Sequence, residues 1–449
     1  MTHRLLSFLA LALAGPAAAQ PVEAPPPSSE APPAPAEVPS PPGAPAPPAQ
    51  APPAQAPPAQ APAPAAAPAA APAPAPTIKG EPGKGLTVTL GDAFSLNLRS
   101  RIMLRYQLHA APADATGDRA HDQLVTVGTV RVWMSGSVYR PEVTYMTQLA
   151  LGARDYRDGA VSPIFDAYVD YKAHRDLSVR VGQFFVPFDR LRTVREFALQ
   201  LTDRPRPVTE LTLDRDVGVL AYSDRFLGDH SPVAWRVGAF GGGGINLASA
   251  HPAGGLLLAR VELRPLGPID DDSEGDLARR AKPGLALGAA VAVNRNSNRV
   301  RSTTGATLTG GTTDYTHAAL DAVFKWRGLG LQAEYLWKHA SDEQVPSAAD
   351  PDVLEWARSG SGWVVQASYV LPKPVELVAR FSRLYAPGGT DPKWISEVTN
   401  LGQEVALGMN YYLNNHSLKV QASWIVRTPR GASFDSSDHL VAVHLDATF

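Results

Sequence analysis

Three arginines, Arg99, Arg101 and Arg105, fall on odd positions of the stretch FSLNLRSRIMLRYQL, Phe94 to Leu108. A guanidinium stays charged at physiological pH, and its planar fork of donors matches the oxygens of phosphate or carboxylate. Spaced by two and then four residues, these groups on an extended chain climb roughly 20 Å at about 3.4 Å per residue. That is the chemistry of an anion pathway, in which fixed positive charge replaces part of an ion's hydration in stages. It needs an element that keeps all three on one face. The even positions supply it: Phe94, Leu96, Leu98, Ile102, Leu104, Tyr106 and Leu108 are apolar, with Ser100 the exception. Strict alternation is a strand with one apolar and one polar face.

The strand runs for about fifteen residues, well beyond the usual five or six, and long tilted strands are what a bilayer demands. An arginine on the lipid face costs about 2–4 kcal/mol near the midplane, so Arg99, Arg101 and Arg105 are expected in a lumen. The same parity points Arg131, Arg180, Arg236, Arg260, Arg264, Lys338, Arg380 and Lys419 inward, against inward Glu262, Asp321, Glu334 and Glu376. Basic groups outnumber acidic ones on this inferred wall. Some of these charges would equally serve to solvate a polar lumen or to pair between adjacent strands.

Period-two segments recur sixteen times, at 94–108, 123–139, 142–154, 164–173, 176–186, 216–223, 233–241, 254–264, 282–295, 315–325, 329–340, 361–371, 374–385, 402–413, 416–426 and 437–449. Connections alternate between tight ones (YRPE, HRD, WRG, LPKP, NNH) and roomy ones, the arrangement of an outer-membrane barrel. Pro265 to Lys282 breaks the rule, being long where a short turn is due. The fold expected is all-β, a transmembrane antiparallel barrel of about sixteen strands over 85–449, preceded by a disordered arm.

The ends of the chain agree with that compartment. Residues 1–19 have a basic start, a short apolar run and small residues before Gln20, the pattern of a secretory signal peptide. Residues 20–78 are almost entirely Pro and Ala, too poor in buriable surface to offset their ordering entropy, and are expected as a periplasmic spacer. The last strand, VAVHLDATF, ends on Phe449. A closed barrel must pair its last strand with its first, because unpaired backbone in lipid costs several kcal/mol per group. A terminal Phe behind alternating apolar residues resembles the signal that barrel assembly machinery recognises, so Phe449 is expected to serve it.

The likeliest constriction is PFDRLRTVREFALQLTDRPRPVTELTLDR, between the fifth and sixth strands, with Arg190, Arg192, Arg195, Arg204 and Arg206 among acids such as Asp189, Glu196, Asp203, Glu210 and Asp214. Those charges would either line two sides of an eyelet or pair internally to pin the loop. Other motifs fall away. GGGG at Gly241 to Gly244 lacks the Lys and Ser/Thr of a nucleotide loop and is expected as a flexible surface loop. DDDSEGD, Asp270 to Asp276, lacks EF-hand spacing. HRD at His174 to Asp176 lies between two strands with no downstream kinase motif. With no cysteine at all, thiolate chemistry is excluded, and no acid, base and nucleophile set is visible. The expectation is neither enzyme nor metal or cofactor site, and no nucleic-acid partner. The net charge of −2 from 41 basic and 43 acidic residues sums loops and wall and leaves selectivity open.

DAYVDYKAHRDLSVRVGQFFVPFDRLR followed by LDRDVGVLAYS resembles the phosphate-selective porin O and P family, as do WRVGAFGGGGIN, LGLQAEYLWK and LGMNYYLNNHSLKVQASW in order. Where members often carry Lys after GQF, this chain has Phe185. The resemblance implies a sixteen-stranded, homotrimeric channel in outer-membrane lipid, passing small anions such as phosphate or polyphosphate. A general diffusion porin without anion selectivity, and a barrel that mainly anchors a cell-wall-contacting arm, are the other two readings.

Overall fold

The computed structural model describes residues 75–449, apart from 115, 153, 156–161, 248–249, 271, 373 and 430–433. The leader and most of the Pro/Ala segment lie outside the described residues. A hairpin of β1 (Thr77–Glu81) and β2 (Gly85–Leu90) comes first, starting two residues inside the stretch assigned to the arm. Then follow β3 (Phe94–Ala110), β4 (His121–Val138), β5 (Arg140–Ala150), β6 (Ile164–His174), β7 (Leu177–Phe185), β8 (Arg215–Ser223), β9 (Val233–Phe240) and β10 (Gly255–Leu263). The second half holds β11 (Gly284–Ser297), β12 (Thr313–Trp326), β13 (Leu329–Ala340), a small loop hairpin of β14 (Gln344–Pro346) and β15 (Leu354–Trp356), and β16 (Gly360–Val370). The last four are β17 (Val375–Tyr385), β18 (Gln403–Asn414), β19 (Leu418–Thr428) and β20 (Asp438–Thr448).

Leaving aside the two hairpins, the sixteen remaining strands pair antiparallel in order, and β20 closes on β3 from His439↔Ala110 to Thr448↔Arg101. Closure satisfies the edge that lipid would not. The final rung lies beyond the named strands: Phe449 N–H donates to Ser100 O at 2.8 Å, and Ser100 N–H donates to Phe449 O at 2.7 Å.

The tight connections have the chemistry their geometry requires. In WRG, Arg327 and Gly328 both take positive φ, 51° and 91°, which suits a two-residue hairpin turn to the right-handed twist of its strands. The helix Pro392–Leu401, on the opposite rim, begins with proline in its first turn and with the Asp391 side chain accepting from Lys393 N–H at 2.9 Å.

Parity is borne out. On β10 to β13 and β16 to β20 the inward residues are buried nearly without a break, while the outward ones are large, apolar and exposed, such as Leu320, Val365 and Leu407. Arg99, Arg101 and Arg105 share the inward face of β3, and Ile102, Leu104, Tyr106 and Leu108 the outward one. The connection 264–283 shows no extra hairpin among its described residues and links β10 to β11 as one long excursion.

Deleting Phe449 removes the last reciprocal rung against Ser100. Less heat-modifiable barrel should then reach the membrane fraction, as scored by gel shift; a normal yield would show that the rung is dispensable.

Candidate functional site

The connection between β7 and β8 determines what the lumen can do. Its base is closed by Val186 N–H donating to Asp214 O at 3.2 Å. It then turns inward through two short helices, Arg190–Thr193 and Arg206–Leu211. The first is capped by the Asp189 side chain, which accepts from Arg192 N–H at 2.7 Å. Val186, Phe188, Leu191, Val208, Leu211 and Leu213 are all buried in one apolar cluster with Leu256, Leu258, Leu336 and Val364 of the inner wall. Burying side chains of this size is worth about 1.5–3 kcal/mol each, so one side of the loop is held by packing.

The rest is held by charge. Arg190 Nε donates to Asp321 at 2.8 Å, and the backbone N–H groups of Arg190 and Leu191 donate to Glu334 at 3.1 and 3.0 Å. Across the lumen, Glu196 accepts from Arg101 at 3.1 Å and from the Thr129 hydroxyl at 3.1 Å. Lys419 Nζ donates to Leu199 O at 2.8 Å, and Thr202 N–H donates to Ser423 Oγ at 3.1 Å. Asp203 takes both terminal nitrogens of Arg105, at 2.8 and 3.2 Å, and its backbone oxygen accepts from Arg380 at 2.9 Å. Arg206 pairs with Glu397 of the helix Pro392–Leu401. Glu210 pairs with Arg301 and Arg358 at 3.1 Å each, while Lys338 Nζ donates to Glu210 O. The charges pin the loop, but mostly not by the internal pairing read from the sequence: Arg190, Glu196 and Asp203 pair with the wall, Arg206 and Glu210 with the outer helix and loops, and Arg192 pairs within the loop with Asp214.

Those pairs also change how the predicted pathway looks. The arginine ladder faces inward, but two of its three rungs are neutralised: Arg101 also donates Nε to Asp446 at 2.8 Å, and Arg105 is held by Asp203. Arg131 pairs with Asp155, Arg180 with Asp170 at 2.8 Å, and Arg236 with Asp224 at 3.0 Å and Glu262 at 3.3 Å. Arg260 pairs with Asp321 at 2.7 Å and Glu262 at 2.9 Å, and Arg380 with Glu404 at 2.9 Å. Lys338 and Lys419 point into the loop backbone, and Arg192 pairs with Asp214. The expected excess of free base on the wall is thus corrected. Asp166, Asp170, Glu404 and Asp446 sit at inward positions of β6, β18 and β20 that alternation alone could have found.

Three loop and wall arginines are different. Arg99 donates to Gly83 O at 3.1 Å and lies over the Trp133 ring at 5.6 Å; Arg195 reaches only Met146 Sδ, at 3.7 Å; Arg204 donates to the Leu191 carbonyl at 3.0 Å. None has a carboxylate partner among the described residues, and all three are half-buried rather than buried. Aromatic faces hold the neighbouring guanidinium groups: Arg180 lies 4.0 Å over Tyr168, and Arg215 lies 3.6 Å over Phe185, the residue that stands where the family often has Lys.

A second segment enters the lumen from the rim of short turns. In the excursion 264–283, Lys325 Nζ donates to the carbonyls of Asp270 and Ser273 at 2.6 and 2.7 Å, and Asp276 accepts from Gly328 N–H at 2.7 Å. Glu274 is buried and accepts from Gln200 N–H, in the constriction loop, at 2.7 Å. A side chain at Gly275 would place Cβ 2.4 Å from the Glu376 carboxylate and 2.8 Å from the Gln200 amide, and both would have to move aside. The acidic run is a structural latch, and no group of three or more metal-ligating side chains occurs among the described residues. The four glycines after β9 are also not a flexible surface loop: Gly242 to Gly244 are buried, with Gly242 N–H donating to Asp216 at 2.7 Å.

The two inserted segments cover the inner wall of β10 to β20. What stays half-open lies on the turn-rim half of β3 to β9: Asn97, Arg99, Met146, Tyr168, Asp170, Arg180, Tyr222 and Arg236, faced by Arg195 and Phe197 of the loop. A closed barrel with a clamped inward loop and a residual polar lane is the architecture of a diffusion channel.

Comparison with family models supplies the decisive observation: residues 242–445 match phosphate-selective porin O and P. The resemblance read from the sequence motifs is borne out over that stretch, and the chain has the closed sixteen-strand barrel fold of outer-membrane porins. Among solved structures, OmpF of Salmonella typhi, in complex with daunomycin, is similar at 13% identity, covering 80% of this chain and 99% of that one, with a TM-score of 0.52. The channel DcaP of Acinetobacter baumannii gives 14% identity, 79% and 97% coverage, and a TM-score of 0.48. The anion-selective porin from Comamonas acidovorans gives 11%, 79% and 99%, and 0.49. At these identities the OmpF likeness shows the porin fold alone. No curated protein matches the chain.

Replacing residues 267–281 of this porin by a two-residue turn should raise single-channel conductance, because it removes one of the two inserted segments and frees Gln200 of the other. An unchanged conductance would show that the excursion does not narrow the path.

Proposed function

We propose that this porin is a passive channel that favours small anions, phosphate-like ions among them, and that it works as a homotrimer with residues 20–78 as a periplasmic arm. The observation that carries the reading is the asymmetry of exposed charge. Half-exposed Arg99, Arg195 and Arg204 have no carboxylate partner among the described residues. Luminal carboxylates are instead covered by donors: Glu376 is fully buried and accepts from Gln200, Asn410 and Tyr412, and Asp166 is held by Arg215 at 2.7 Å. An ion in the lane therefore meets positive charge that no carboxylate holds, whereas the half-exposed carboxylates Asp170, Glu196 and Asp203 are each held by an arginine. The low-dielectric wall concentrates that field.

Of the three, Arg99 and Arg195 are the test pair, because Arg204 also ties loop carbonyls together. In a KCl gradient across a planar bilayer, the native porin should show a reversal potential on the chloride side. Arg99→Gln with Arg195→Gln should lower the chloride-to-potassium permeability ratio by about fivefold, the effect of one unit charge acting over ~4 Å in water, about 1 kcal/mol. A native ratio at or below unity, or an unchanged ratio in the double variant, would instead make the chain a general diffusion porin, the reading favoured by the extensive neutralisation of the wall.

A further inference from the structure

The hairpin β1–β2 is outside the closed ring, and its two faces differ. It begins where β20 ends: Phe449 bonds to Ser100, and two residues further along β3, Leu98 pairs with Leu86 of β2. Directly opposed residues of antiparallel strands share a face. Ile78, Val88 and Leu96 thus form one row, Leu86 and Leu98 a second, and Leu90 and Phe94 a third. By the period-two rule this is the same side of β3 as Ile102 and Leu104, which face lipid. Ile78 is 64% exposed and Leu86 44%, comparable with 38% and 45% for Ile102 and Leu104. The opposite face carries Thr77, Lys79, Thr87, Thr89 and Asn97 around a polar cleft. It is tied to the barrel by Asn97 Nδ2 donating to Lys84 O at 2.9 Å and by Arg99 donating to Gly83 O at 3.1 Å.

The outer edge of β1 has no strand partner among the described residues. Unpaired backbone is not tolerated in hydrocarbon, so this edge sits no deeper than the headgroups, where water and phosphate esters satisfy it. Lys79 suits anionic headgroups at that depth, while Lys84 pairs with Glu81 at 2.7 Å. The apolar rows run into the lipid-facing belt of β3 with Ser100 as the one interruption, and the rows themselves contain no hydrogen-bonding side chain. We infer that the hairpin Thr77–Leu90 is an interfacial lipid-binding element, its row of Ile78, Val88 and Leu86 laid against the acyl boundary of the periplasmic leaflet and its threonine face turned to water.

Since the chain has no cysteine, single labels are clean. The full chain would be labelled with a nitroxide at Ile78→Cys, Val88→Cys, Thr87→Cys or Thr89→Cys and reconstituted in phosphatidylethanolamine and phosphatidylglycerol vesicles. Collision with oxygen and with a water-soluble nickel complex is then measured. The oxygen-to-nickel ratio should exceed unity at Ile78 and Val88 and fall below it at Thr87 and Thr89. Nickel access at Val88 equal to that at Thr87 would put the row in water and overturn the inference. Shielding of Ile78 and Val88 from both reagents would put a second copy of the chain there and overturn it equally. Two positions per face keep the comparison intact if one variant fails to assemble.

Discussion

A charge buried in the lumen of this barrel must find a partner, because desolvating an ion without one costs several kcal/mol. The constriction loop meets that requirement. Its carboxylates Glu196, Asp203 and Glu210 meet Arg101, Arg105, Arg301 and Arg358, and its Arg190 and Arg206 meet Asp321 and Glu397. Wall and loop are two halves of one ion-pair system. Removing one partner of a buried pair costs about 3–5 kcal/mol, so the loop position and the wall charges hold each other in place.

This pairing also explains why so many arginines produce so small a free field. A guanidinium bound to a carboxylate at 2.8 Å, as Arg105 is to Asp203, presents a dipole rather than a charge to a passing ion. In the proposed function, selectivity then falls to the few groups without a carboxylate partner among the described residues, Arg99, Arg195 and Arg204. Clamping by the excursion 264–283, through Glu274 and Gln200, fixes where they stand and confines the half-open lane to the β3–β9 side.

The barrel was legible in the sequence because a strand repeats every two residues and a bilayer penalises errors of parity. Sixteen segments, the closing role of VAVHLDATF and the inward direction of Arg99 through Lys419 all follow from that. Pairing was not legible. Arg101 and Asp446 are 345 residues apart, and Arg105 and Asp203 are 98 apart, while the loop that unites several such groups has no periodicity. Two features left signals that alternation over long strands overlooks. PGK between TIKGE and GLTVTL marks the β1–β2 turn, with Gly83 and the first residue of β2, Gly85, at φ 77° and 82°, and Asp391 before Pro392 marks a helix start. The excursion 264–283 gave only its length; that it folds inward depends on Lys325 of β12 and Gly328 of the turn that follows it.

The central claim is that the inserted segments cover one side of the lumen and leave the other open, and thiol access tests it most directly in a chain without cysteine. A negatively charged methanethiosulfonate is added to single channels bearing Arg180→Cys or Tyr222→Cys on the half-open side, or Ser423→Cys or Ser368→Cys beneath the loop. A stepwise change of current is expected at the first two positions and none at the last two. Equal modification on both sides would contradict it.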